Sequence, residues 1–143
     1  MVWGGKGTLF VGSSGAGVFY ALRDADHDGK VESVKVVARD LRMPIGVAFR
    51  SGSLYVSAID RILRYDEIEV RLDNPPQPVV VVTDLPKEGH HGGRYLAFGP
   101  DGKLSVPIGA PCNVGPAPGQ PQPTPRDPTC PATGDTAPRA RTA

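Results

Sequence analysis

Leu and Val alternate with a polar or aromatic residue at three places along the chain: "GKGTLFVG" at 5–12, "RSGSLYVS" at 50–57 and "PDGKLSVP" at 100–107. Each copy is a glycine turn followed by Leu, one intervening residue and Val, the period-two pattern of a strand with one buried face. "GVFYAL" at 17–22 and the valine run at 79–82 add further short strands, rich in β-branched and aromatic residues and bounded by Gly, Ser or Pro. No stretch carries a sustained 3.6-residue period, so the pattern predicts an all-β chain of hairpins.

The repeat has a length. Leu9, Leu54 and Leu104 fall 45 and 50 residues apart, which matches the roughly 40 to 50 residues of a propeller blade. A second alignment runs backward from the same strands, pairing "RDLRMPIGVAF" (39–49) with "TDLPKEGHHGGRYLAF" (83–98). Asp40-Leu41 matches Asp84-Leu85, Ala48-Phe49 matches Ala97-Phe98, and the second copy is five residues longer. The added length carries His90 and His91, two of the three histidines in the chain. Insertions of this kind map to loops, often on the binding face. The expectation is a partial β-propeller over 1–114, about two blades and the start of a third. Residues 115–143 hold 8 of the 16 prolines and no Leu, Ile, Val, Phe, Tyr or Trp, a composition that predicts a disordered tail. Its abrupt Pro, Ala, Thr and Arg bias also resembles GC-rich coding sequence read in a shifted frame.

Composition narrows the functional classes. A net charge of +1 with interspersed signs gives no field for holding nucleic acid. No apolar run reaches the roughly 18 residues of a membrane span, and the opening "MVWGGKGTLFVG" does not read as a signal peptide. Cys112 and Cys130, 18 apart, match neither zinc nor redox spacing.

Three motifs carry candidate chemistry. "DADHDG" at 24–29 begins like a calcium loop, with Asp24, Asp26 and Asp28 at alternate positions before a glycine. The twelfth position needs a bidentate Glu and holds Lys35, which favours a polar hairpin turn over a calcium-stabilised fragment. "GSSGAG" (12–17) and "GGKG" (4–7) lack the helix and the Ser or Thr of phosphate-binding loops and read as turns. His90 and His91 are followed by Gly92 and Gly93, which permit close approach of a ligand to the backbone, and imidazole suits general-base work near neutral pH. Solvated or backbone-bonded histidines are the competing reading.

"LPKEGHHGGRYLAFGPDGKLSVPIGAPCN" at 85–113 resembles the soluble quinoprotein glucose and sorbosone dehydrogenases, the sorbosone-type branch most. Its features are the His-His-Gly run, the F-G-P-D-G-K-L strand and the closing G-A-P-C-N, and the resemblance covers roughly residues 5–114. It implies a six-bladed propeller that binds pyrroloquinoline quinone (PQQ) with calcium. A sugar or sugar aldehyde is the substrate, and an external acceptor reoxidises the quinone. His90 falls on the catalytic base position and Arg94 on the basic position of the signature, as a supporting cofactor-binding residue; metal ligands are not assigned. Ile45, Ser105 and Gly115 depart from the pattern, and the cofactor-binding Arg and Lys residues of later blades have no counterpart. The resemblance therefore implies an N-terminal fragment, inactive alone, from a family that is typically exported. A non-catalytic propeller module binding a ligand or a protein is the alternative.

Overall fold

The computed structural model describes residues 1–26, 28–87 and 91–109, and the backbone of Arg139–Thr142. The described residues are all-β, in three antiparallel sheets, none of them closed. Sheet I takes strands β1 (Val2–Trp3), β2 (Thr8–Ser13), β3 (Val18–Arg23) and β4 (Ser33–Ala38) in chain order. Sheet II repeats that up-and-down order with β5 (Val47–Arg50), β6 (Ser53–Ser57), β7 (Ile62–Tyr65) and β8 (Val79–Val82). Sheet III begins the same way with β9 (Ala97–Phe98) and β10 (Leu104–Ile108). Its third strand, β11 (Arg139–Thr142), lies antiparallel along β10, with Ser105 opposite Thr142 and Ile108 opposite Arg139. Four residues of the stretch expected to be disordered are thus in a strand, because a main-chain ladder needs no apolar side chains to form.

The three repeat glycines serve one purpose. Gly7, Gly52 and Gly102 take φ of 79°, 82° and 80°, a left-handed conformation open to glycine at little cost, and each turns the chain into the Leu strand two residues on. The second alignment also holds at the backbone, since Asp40 and Asp84 share φ of 57° and 60°.

Two cores lie between the sheets. Phe10, Phe19, Ala21 and Val37 of sheet I pack against Val47, Leu54, Val56, Leu63 and Tyr65 of sheet II. Ala48, Ile62 and the half-buried Tyr55 and Val82 on the opposite face of sheet II pack against Leu104, Val106, Ile108 and Phe98 of sheet III. Strand alternation explains the division. The Leu and Val of β6 and β10 face the preceding sheet, and the residue between Leu and Val in β2 and β6 faces the following one. The contact repeats in detail: Phe10 stacks on Phe49 with ring centroids 6.0 Å apart, and Tyr55 meets Phe98 edge to face at 5.0 Å. Between sheets, the first strands come close, β5 lying beside β1 and β9. Burying Leu54 and Val56, both fully inaccessible, stabilises the stack by about 1.5–3 kcal/mol per side chain.

Candidate functional site

The connections β4–β5 and β8–β9 enter at the end of the stack where β2 and β6 finish, and both are tied down in the same way. Leu41 donates its N–H to the Gly17 carbonyl in the β2–β3 turn, and Leu85 donates to the Asp60 carbonyl in the β6–β7 turn. Leu41 packs on the first core and Leu85 is buried in the second. Each connection therefore leaves its leucine from a fixed starting point.

Arg94 fixes the far side of the longer connection. It is only 2% exposed, and its guanidinium donates to the Pro86 carbonyl at 2.8 Å and the His91 carbonyl at 3.3 Å. A buried guanidinium must find acceptors, and here it draws two points of one loop together. The planar fork lets one side chain reach both carbonyls, which an ammonium on a flexible stem would do with less precision.

The backbone of Arg94 is as closely held as its side chain. Its carbonyl abuts Gly46 so tightly that a Cβ on Gly46 would overlap it. The Gly46 N–H donates to Ser57 Oγ at 2.8 Å, and Ser57 is fully buried. Pro44 makes the matching approach one sheet earlier, its carbonyl lying against Gly12. His91 takes φ of 49°, is exposed, and lies against Gly109 after β10, where a Cβ would come within 2.6 Å of the His91 carbonyl oxygen. Gly46, Ser57 and Gly109 thus form a small-residue floor on which the β8–β9 loop rests. His90, expected as the base, and Glu88 and Gly89 beside it lie outside the described residues, as do Cys112, Cys130 and Gly115.

The sequence expectations missed that floor. A glycine in a strand or at its start signals close backbone approach, and Gly46 in "MPIGVAF" carried that signal. Ser57 gave another, a small polar residue directly after the Leu-x-Val of β6.

The acidic motif is a separate feature. Residues 24–32 link β3 to β4, confirming strands and not helices on both sides. Oxygens of Asp24, Asp26, Asp28 and Glu32 lie within 4.8 Å of one another. Much of their capacity goes to the turn itself: Asp24 accepts from Gly29 N–H, Asp26 from Asp28 N–H, Asp28 from Lys30 N–H, and Glu32 from Ala25 N–H. Lys30 Nζ stands 2.7 Å from Asp28, and that hydrogen bond holds the Asp28 carboxyl below its usual value. Lys35, at the twelfth position, reaches to Asp73 at 2.8 Å.

A quinone of the kind the resemblance implies carries carboxylates and needs cations directed at it. Arg94, the cation expected near it, donates to the loop's own backbone at 2.8 and 3.3 Å and so holds Pro86 and His91 together. No family model, curated protein or solved structure matches the chain. Among the described residues no helix is long and apolar enough to cross a membrane.

Proposed function

We propose that this chain forms the first sheets of a six-bladed propeller of the glucose and sorbosone dehydrogenase type, and that the β8–β9 loop presents His90 as the base of a sugar dehydrogenase. Two successive four-stranded meanders, the twice-made aromatic contact and the convergence of first strands support a blade arrangement. The observation that carries the functional reading is the loop itself. It exceeds its counterpart by five residues, is anchored by Leu85 at one end and Arg94 at the other, and carries the histidine pair between those anchors.

In this reading His90 takes the proton from the hydroxyl of a sugar or aldehyde hydrate. PQQ bound with calcium supplies the hydride acceptor, and an external acceptor reoxidises it. Arg94 acts on the base at one remove, setting the path of the backbone between Pro86 and His91. Most cofactor ligands belong to other blades, so the 143-residue chain alone is expected to show no turnover.

The test uses a polypeptide carrying this sequence with its remaining blades, loaded with PQQ and calcium. Aldoses or sorbosone should drive reduction of an artificial dye. The His90→Ala variant should retain quinone absorbance after gel filtration and lose dye reduction. Undiminished turnover in that variant would refute the assignment, and retention of no quinone by the parent would favour a non-catalytic module.

A further inference from the structure

Sheet I carries the same receiving face that sheets II and III use. In register, Phe49 pairs with Leu54 and Phe98 with Leu104, and Trp3 pairs with Leu9 in the same way. On sheet II the face continues through Leu54 opposite Tyr65 and Val56 opposite Leu63. On sheet I one row runs through Leu9, Leu22 and Val34, and the next through Val11, Tyr20 and Val36. These positions are apolar or aromatic on both sheets, but their burial differs. Leu54, Val56, Leu63 and Tyr65 are no more than 5% exposed, and Leu104 and Val106 of sheet III no more than 2%. Leu9, Val11, Tyr20, Leu22 and Val36 are only half-buried, while Trp3 is 62% exposed and Val34 58%.

In a stack of repeats, an end repeat turns a polar face outward. The two rows on sheet I hold no Asp, Glu, Lys or Arg, so sheet I is built as an interior member and its outer face as an interface. The two contacts already made say of what kind. Each sets the Leu and Val of one sheet against the opposite-facing side chains of the sheet before it, never two like faces together. In each, the residue between Leu and Val of the earlier sheet meets the first-strand aromatic of the later one, Phe10 with Phe49 and Tyr55 with Phe98. Trp3 holds that first-strand place on sheet I, and among the described residues no ring lies on it.

We propose that the outer face of sheet I receives a further meander of the same repeat, whose second strand reads Leu-aromatic-Val and lays its ring on Trp3. A second copy docking through its own sheet I would pair like faces, which neither contact does. Sheet III holds Ser105 at the ring position, opposite Ala97 as Tyr55 is opposite Ala48, so the occupant is a sheet other than the three described. The inference rests on the propeller arrangement proposed above and not on the dehydrogenase chemistry: Trp3, Leu9 and Val11 form the joint at which the ring of sheets closes.

Hydroxyl-radical oxidation read by mass spectrometry tests this without a substitution. It is run on the 143-residue chain and on a polypeptide carrying that chain with its remaining blades. Trp3 is the single tryptophan of the chain. It should oxidise readily in the chain alone at every concentration and severalfold more slowly in the longer polypeptide, with Val80 on exposed β8 oxidised alike in both. Trp3→Ala should lower the melting temperature of the longer polypeptide by several degrees and leave that of the 143-residue chain in place. Equal oxidation of Trp3 in both overturns the proposal. So does protection in the chain alone that grows with concentration, which would make the occupant another copy. Quinone-dependent turnover with Trp3 open would overturn the proposal and leave the dehydrogenase reading standing. Trp3 protected in a polypeptide that retains no quinone would do the reverse.

Discussion

Replacing Gly46 by alanine puts a methyl group onto the carbonyl of Arg94 and within 2.9 Å of Ser57 Oγ. Neither neighbour can withdraw cheaply. The Arg94 carbonyl is backbone at the end of the loop, and Ser57 is fully buried while accepting the Gly46 N–H. Overpacking at such a point costs about 1–3 kcal/mol. A Gly→Ala change also removes unfolded-state freedom, worth about 0.4–1 kcal/mol in the opposite direction, so a net loss of roughly 1–2 kcal/mol is expected. Gly15→Ala supplies the control, because a Cβ there meets nothing within 4 Å. In urea unfolding, with a slope of about 1–3 kcal/mol/M, Gly46→Ala should move the midpoint down by about 1 M while Gly15→Ala leaves it in place or raises it slightly. Equal midpoints for the two variants would refute the claim that the β8–β9 loop rests on Gly46. Hydrogen exchange adds a local reading, for faster exchange between residues 91 and 96 should accompany the loss.

The packing and the charges set four further outcomes. Arg94→Met leaves the Pro86 and His91 carbonyls without its N–H groups, an expected loss of about 1–3 kcal/mol, with limited proteolysis then cutting first between 86 and 94. Tyr55→Ala and Phe98→Ala should couple by about 0.5–1.5 kcal/mol in a double-mutant cycle, and strictly additive losses would contradict the edge-to-face contact. Leu54→Ala, at a fully buried position, should cost about 2–5 kcal/mol by thermal or urea unfolding. Asp28, Asp66 and Asp73 are all held below the ordinary value of 3.8, chiefly by hydrogen bonds from Lys30, Arg64 and Lys35 respectively. Such groups contribute stability that is present above 3.8 and lost as pH falls through their lower folded values. Melting temperature should therefore begin to fall below about pH 4 on their account, and less in Asp66→Asn than in the parent.

Much of this architecture was legible because the repeat imposes the same backbone task at matching positions. Gly7, Gly52 and Gly102 could be aligned from spacing alone, and they share one conformation to within 3°. Asp40 and Asp84 do likewise. Burial was less legible. Val79, Val80 and Val81 form the most apolar run in the chain and are 46%, 50% and 36% exposed, because β8 is an edge strand and β-propensity records fit to a pleated surface and not depth. Arg94 errs in the other direction, since a charged side chain gives no sign in sequence that backbone carbonyls await it. His90, on which the functional reading turns, was visible in sequence through the five-residue insertion that carries it and the motif around it, and its placement lies outside the described residues.

On the proposed function, the division between fixed and free positions gives a reason for chemistry to settle in this loop. Leu41 and Leu85 anchor equivalent entries, and Phe49 and Phe98 meet equivalent rings. Between those anchors the β4–β5 connection manages with five fewer residues, so the extra length of β8–β9 is not needed to reach the next sheet. A connection longer than its span requires tolerates insertion at little entropic penalty, since closure cost grows only with the logarithm of length. It must nonetheless be stiff to hold a reacting group in place. Arg94 resolves that conflict by tying Pro86 to His91 from beneath, and the glycine floor lets the loop sit close to the sheet ends. The added length carries the histidines, and the buried guanidinium ties Pro86 to His91 across them. Weakening the Arg94 tie should accordingly raise loop exchange and leave the two cores between the sheets intact, a separation that hydrogen exchange in Arg94→Lys would resolve residue by residue.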